Sequence, residues 1–340
     1  MFVCKTIKNL HQSNKSANTK GIGSAGTKIS QVKMNYFSIC DGIGAAHSAL
    51  LPLGFRCIGI SEIDKSCNQL IERKYGFRNY GDFTKWKTWG SINADVFIGG
   101  SPCQSFSTLG KREGTKAPTG QLTLDYVDFV CTLCPKFFIW ENVAAVLHIN
   151  RGAVFRYMLA KFSERGYGLG WKILNSRFFG VPQHRRRVFL VGCFGSATSA
   201  GEILFETETM SVRPTAIQEP GQDDSSTVTF DYYTDGTQSK MDRHHKRYRQ
   251  NNPVVGTLTT QICTGAEQVN LIVIDGNRAR YLTPLEAERL QGFPDNYTAG
   301  FSDTTRYKMV GNSMSVPVIR WIGTRILTVD QKTKRWAKAG

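Results

Sequence analysis

Five short apolar runs constrain this chain more than any other feature. Residues 36–40, 57–60, 94–98, 137–140 and 188–191 are almost continuously apolar, and helix-like segments separate them. An alternating polar pattern would mean strands wet on one face. Unbroken apolar runs mean strands buried on both faces, the signature of a mostly parallel sheet wrapped by helices. The expected fold is therefore α/β, a doubly wound, mostly parallel sheet.

In such sheets ligands bind beyond the carboxyl ends of the strands. The chemically interesting residues fall there one after another. The first run leads into "DGIGAA", the second into Glu62 and Asp64, the third into "GGSPCQ", and the fourth into Glu141 and Asn142. The last run is preceded by "QHRRR". If that strand is antiparallel its start lies on the same edge, and the i, i+2 spacing puts Arg185 and Arg187 on one face with Arg186 on the other.

Around residue 196 the texture changes. Residues 206–253 are polar and include "GQDDSS" and the basic run "KMDRHHKRYRQ". This stretch reads as a smaller inserted module. Helical patterning returns at "LTPLEAERLQGF" and at "SVPVIRWIGTRIL", whose amphipathic face would pack on the sheet. The expected organisation is a disordered basic tail at 1–33, a catalytic domain at 34–195, a smaller domain at 196–277, and a segment at 278–340 that returns to the catalytic domain. Met34, just before the first strand, reads as an alternative translation start.

Charge and cysteine content bound the function classes. The net charge is +16, of which the first 33 residues supply six lysines and no acid, so +10 remains elsewhere. That balance favours a polyanionic partner. Nine cysteines without a framework pattern point to a reduced, intracellular protein. Cys131 and Cys134 form a CxxC, but no second pair accompanies it, so no zinc site is expected. No stretch is apolar for long enough to span a membrane, and the N-terminus lacks the apolar core of a secretory signal.

Taken singly, the candidate residues leave alternatives open. "DGIGAAH" has the glycine turn of a nucleotide-binding βα unit, whose amides could hold an anionic group, but also suits mere helix–strand packing. Glu62 lies 18 residues beyond Gly44, near the offset at which an acid meets ribose hydroxyls. Asp82 is as easily a helix cap. Cys103 is either a buried inert thiol or a nucleophile activated by the nearby arginines. Glu141, after the strongly apolar "KFFIW", has the setting in which burial raises a carboxyl pKa and suits it to share a proton, though a structural ion pair with an arginine is equally open.

Together the motifs are specific. "GSPCQSFS", "ENV", "QHRRRVFLVG", "RYLTPLEAERLQGFPDNY" and "GNSMSVPV" occur in one order over residues 35–325, and the chain so resembles the cytosine-C5 DNA methyltransferases. The resemblance implies the S-adenosylmethionine-dependent methyltransferase fold with a target-recognition domain, here 196–277. It implies transfer of a methyl group to carbon 5 of a cytosine flipped out of duplex DNA. Cys103 would be the nucleophile, Glu141 would contact N3 and the exocyclic amine, Arg187 would bind O2, and Arg185 would orient Glu141 and the loop. No metal is implied.

For the methyl donor the resemblance points to the turn Asp41, Gly42, Ile43 and Gly44 for the methionine moiety, Glu62 for ribose and Asp82 for an adenine nitrogen. Ile63 and Phe83 would flank the adenine, Pro102 and Leu122 would lie near the donor, and Asn312 and Ser313 would close the pocket. Cys40 stands where the family usually has an aromatic residue, and Ala45 where it usually has a second glycine. Lys240 to Arg249 would contact phosphates, and "TLTT" at 257–260 would end the recognition module. Expected partners are duplex DNA and a cognate restriction endonuclease, with a monomeric enzyme in the cytoplasm. A tRNA cytosine methyltransferase and a catalytically silent DNA-binding relative are the competing readings. A NAD-dependent oxidoreductase would leave "SPCQ", "ENV" and "QHRRR" without purpose.

Overall fold

The computed structural model describes residues 34–100, 118–205, 255–258 and 278–339, with short strand pieces at 229–230, 232–233, 247–248 and 271–274. The expectations for the tail, Pro102, Cys103 and most of the basic run Lys240–Arg249 therefore lie outside the described residues. The chain divides into two compact units. Among described residues the first comprises 34–174, 186–205 and 318–339, and the second comprises 175–185 and the described parts of 229–317.

The first unit opens with strand β1 (Asn35–Ile39), helix α1 (Ala45–Leu50), β2 (Arg56–Ser61), α2 (Lys65–Tyr75), β3 (Val96–Gly99) and α3 (Pro118–Leu133). It continues with β4 (Phe137–Val143), α4 (Ala153–Glu164), β5 (Tyr167–Asn175), β6 (Arg186–Phe194) and α5 (Ala197–Leu204). The six strands form one sheet in the order β2-β1-β3-β4-β6-β5. β1 pairs in parallel with β2 and β3, and β3 with β4, whereas β6 runs antiparallel to β4.

Alternation along the strands sends side chains to both faces. Phe37 and Phe97 point to the side of α3, where their ring centroids lie 6.0 and 4.6 Å from that of Phe129. Tyr36 points the other way, its hydroxyl 2.7 Å from Nδ1 of His47 on α1. Phe138, Trp140, Phe155, Met158 and Phe162 extend the first layer into a single apolar core. The sheet is mixed and covered on both faces, as its unbroken apolar strands require.

Several strand bounds differ from those expected, for local reasons. β1 ends at Ile39 because Cys40 turns into the left-handed region (φ 50). β4 runs on to Val143, so Glu141 and Asn142 lie within the strand. The sequence reading missed β5, whose glycines at 168 and 170 break the apolar run. Gly170 is needed there, since a Cβ would lie 2.7 Å from the carbonyl oxygen of Ala200 on α5.

The second unit contains β7 (Thr229–Phe230), β8 (Tyr232–Tyr233), β9 (Arg247–Tyr248), β10 (Leu271–Ile274) and β11 (Arg278–Tyr281). β10 lies antiparallel between β11 and β7, and β8 pairs antiparallel with β9. Helices α6 (Pro284–Gln291) and α7 (Asp303–Asn312) follow. α6 begins as its sequence demands, with Pro284 in the first turn and a capping box between Thr283 and Glu286. The last helix, α8 (Val316–Ala339), returns to the first unit from Val318 on. There Gly323 packs so closely on α1 that a Cβ would lie 2.5 Å from a methyl carbon of Leu50. No described helix is long and apolar enough to cross a membrane.

Candidate active site

The carboxyl ends of β1, β2, β3 and β4 carry the first unit's candidate residues. After β1 the chain turns through Cys40 and Asp41 into Gly42 and Gly44, whose φ values of 61 and 78 suit glycine. Asp41 is buried, and its carboxylate is held by Ser38 Oγ at 2.5 Å and by His47 Nε2 at 2.9 Å. With Tyr36 these residues form a buried polar chain that fixes the turn from beneath, so Asp41 offers a ligand backbone groups more than its carboxylate. Sequence reading did not foresee that role for His47, which looks like one more residue of a short helix.

Glu62 follows β2. Its Oε2 accepts the Gly42 N–H at 2.6 Å, and its Oε1 accepts those of Ile63 and Asp64 at 2.8 and 2.7 Å. A carboxylate has about four acceptor positions, so room remains for a further donor such as a hydroxyl. Burial pushes the Glu62 carboxyl up, while the N–H donors of Asp64, Gly42 and Ile63 pull it back in part. Ile63 is 71% exposed, an apolar side chain presented to solvent beside that carboxylate. Asp82 caps the short 3-10 helix Phe83–Thr88, accepting from the N–H and Oγ1 of Thr84.

Phe83, the other expected flank of the adenine, is buried in the core with its ring against Phe129 and Trp89. Leu122, on α3, is half-buried against that same core.

Burial and then the carboxylates Glu62, Asp41 and Asp82 push the Cys40 thiol up to about 12. Asp41 is already held by Ser38 and His47, so Glu62 and Asp82 are the carboxylates near Cys40 left to meet a ligand, a setting that favours cations and hydrogen-bond donors. A sulfonium, a ribose diol and an adenine amine are ligand groups of that kind. The donor set therefore fits S-adenosylmethionine, with Cys40 in place of an aromatic wall.

Glu141 faces the start of β6. In the antiparallel register it lies opposite Phe189, and Val143 lies opposite Arg187, so Glu141 and Arg187 are diagonal neighbours on one face. Arg187 Nε comes 3.4 Å from Glu141 Oε1, a charge contact but no hydrogen bond. Glu141 Oε1 is buried and accepts no hydrogen bond among the described residues. An unpaired buried carboxylate oxygen is costly and calls for a donor. The chain crosses close to it, since a Cβ on Gly100 would lie 2.4 Å from the Glu141 carbonyl oxygen and 3.4 Å from Oε2.

Arg185 lies just before β6. It is buried in the second unit, where Nη1 donates to the carbonyls of Leu258 and Gly311, and Nη2 to that of Ser313. Gln183 is buried alongside and donates to Leu290 O and Gln291 Oε1, both at 2.9 Å. Gln291 donates in turn to the carbonyls of Val310 and Ser313. Thr257 Oγ1 donates to His184 O. Four motifs far apart in sequence thus meet in one buried hub, which places Asn312 and Ser313 within the second unit.

Among the described residues, no group of three His, Cys, Asp or Glu side chains could hold a metal ion. Cys40, Cys57, Cys67, Cys131, Cys134 and Cys193 are free thiols.

Comparison with known proteins completes the picture. Residues 34–251 and 205–328 match the C-5 cytosine-specific DNA methylase family. The type II methyltransferase M1.ScrFI of Lactococcus lactis subsp. cremoris is 32% identical over 286 residues, 81% of this chain and 73% of that protein. The type II methyltransferase M.HpaII of Haemophilus parainfluenzae is 31% identical over 329 residues, 87% and 89% of the two chains. The fold is also that of the S. pombe Dnmt2 methyltransferase, with a TM-score of 0.66 at 17% identity, over 87% of this chain and 99% of that one. The chain belongs to the C-5 cytosine-specific DNA methylase family.

Proposed function

We propose that this methyltransferase modifies carbon 5 of a cytosine flipped out of duplex DNA, with Cys103 as covalent nucleophile and S-adenosylmethionine as methyl donor. The observation that carries the reading is the buried Oε1 of Glu141, in charge contact with Arg187 but accepting no hydrogen bond among the described residues. A cytosine offers that oxygen the N–H of its exocyclic amine, Glu141 can share a proton with N3 as charge builds in the ring and take it back when the ring is restored, and Arg187 suits the O2 beside them.

The chemistry follows from the ring. Carbon 5 is a weak nucleophile until a group adds at carbon 6, so the Cys103 thiolate adds there and its electron pair moves the ring density onto carbon 5. Glu141 holds N3 and the amine while charge builds in the ring. Bound S-adenosylmethionine supplies an electrophilic methyl group and leaves as S-adenosylhomocysteine. Loss of the carbon 5 proton to a base then expels the Cys103 thiolate and restores aromaticity. Cys103 follows Gly100 by three residues, so covalent geometry keeps its Cα within roughly 11 Å of that of Gly100. On the donor side, Glu62 and Asp82 accept from ribose and adenine, Ile63 lines one adenine face, and the Gly42–Gly44 turn meets the methionine moiety.

Residues 196–277 serve as the recognition domain in this reading, with Lys240–Arg249 on phosphates and the Thr257–Leu258 element secured by the hub around Arg185. The family and the type II methyltransferases among the relatives support a role in DNA modification, and a cognate endonuclease is the partner in this reading.

The test is transfer of labelled methyl from S-adenosylmethionine to mixed-sequence duplex DNA and to bulk tRNA, with Cys103→Ala alongside. Label on DNA that disappears in the variant is the expected result. Label on tRNA alone moves the substrate to RNA, and turnover by Cys103→Ala overturns the covalent step.

A further inference from the structure

Asn79 lies three residues before Asp82 and seventeen after Glu62, in a stretch that runs beside the end of β2. The backbone pairing is short. Ile60 N–H donates to Arg78 O at 2.9 Å, Tyr80 N–H donates to Ile60 O at 2.8 Å, and Ile60 and Asn79 form an isolated parallel bridge. Past Ile60 the Asn79 side chain takes over. Its Oδ1 accepts the Glu62 N–H at 3.1 Å, and its Nδ2 donates to Glu62 O at 2.9 Å. One side-chain amide thus meets both polar groups of the Glu62 backbone, as a neighbouring strand would.

The same amide reaches further. Oδ1 also accepts the Gly81 N–H at 2.9 Å, at the entrance to Asp82. Nδ2 also donates to Asn68 Oδ1 at 2.9 Å, and Asn68 Nδ2 donates to Glu62 O at 3.2 Å. Ser61 Oγ donates to Gly81 O at 2.7 Å, closing the ring from the strand side. Burial adds little order to this loop, since Ile63 is exposed and Glu62 and Asp64 are only half-buried.

We propose that Asn79 is a positioning residue for the methyl donor, an amide clamp that holds Glu62 and the turn into Asp82 in one fixed arrangement before the donor arrives. The inference rests on the reading of Glu62 and Asp82 as donor contacts. Asn79 is exposed and its bonds compete with water, so they add little to stability. Their effect is to preorganise two carboxylates from different segments, Glu62 after β2 and Asp82 at the cap of the 3-10 helix, which lowers the ordering cost of binding. Asn79 touches neither donor nor substrate and acts through Glu62.

The experiment measures S-adenosylmethionine and S-adenosylhomocysteine affinity by calorimetry, and donor KM and kcat, for wild type, Asn79→Ala, Glu62→Gln and the double variant. Expected for Asn79→Ala is a donor Kd and KM raised about tenfold, the scale of one or two net hydrogen bonds. kcat should stay within about twofold and Tm should be unchanged. In the Glu62→Gln background the same substitution should cost much less, since the residue it positions is already impaired. Equal affinity of Asn79→Ala and wild type overturns the clamp, as does an equal loss in both backgrounds. A wild-type protein that binds neither compound fails differently, by removing the donor reading itself.

Discussion

Glu62 combines two opposing influences, a partly buried carboxylate and three backbone N–H donors, and burial wins, so its pKa lies above the ordinary carboxylate range. The sign for binding follows. As pH falls through that raised value Glu62 takes up a proton, and its pull on a cationic donor weakens. Donor affinity should decline as pH falls through that raised value, and Glu62→Gln should flatten the profile. A wild-type profile as flat as the variant's would contradict this. For stability the sign is opposite: the folded chain holds the proton more tightly than the unfolded one, so the gain is full below the ordinary carboxylate range and is lost as pH rises through the raised value. At this scale the sequence was partly legible. The spacing from the glycine turn marked Glu62, and the apolar run before it marked Glu141. Asn79 was not legible, since an asparagine in "RNYGDF" looks like an ordinary turn residue until β2 brings Glu62 beside it. Nor was the fate of Phe83, which only the packing of Phe129 and Trp89 decides.

Among the elements, α6 and α7 show how a charged residue can be structural. Glu288 is fully buried on α6 and accepts the N–H groups of Tyr297 and Thr298, the Thr298 hydroxyl, and Arg306 of α7 at 3.0 Å. Glu288→Ala strands all four donors, and breaking a buried pair of this kind costs about 3–5 kcal/mol. Thermal unfolding should shift down by several degrees, with donor KM in the surviving native fraction little changed. A Tm equal to wild type would show that the loop 292–300 is held by other means. The helix itself was plain from "TPLEAERLQG", with its capping box and its closing glycine. The burial of Glu288 was not, because a glutamate between alanine and arginine reads as a solvated face. β5 was missed for a related reason: one of the glycines that break its apolar run, Gly170, is there for the approach of α5.

Across the whole molecule, charge is the property the sequence states most directly. The excess of +16 suits a polyanion, and six of the lysines lie in the first 33 residues. Deleting residues 1–33 should weaken duplex binding most at low salt and make the slope of log K against log salt shallower. An unchanged slope would assign DNA contact to the rest of the chain alone. By itself the sequence determined the fold class, the antiparallel last pairing as a conditional expectation, the family, and the residue types of the site, because strand burial and local turn chemistry leave their marks within a few residues of one another. Only the tertiary structure decided that Arg185 secures Leu258, Gly311 and Ser313 while Arg187 faces Glu141, that Asp41 turns inward to His47, and that Asn79 grips Glu62. Each of those contacts joins residues set together by packing and strand register, and a side chain's partner across a fold is fixed by geometry that no local pattern encodes.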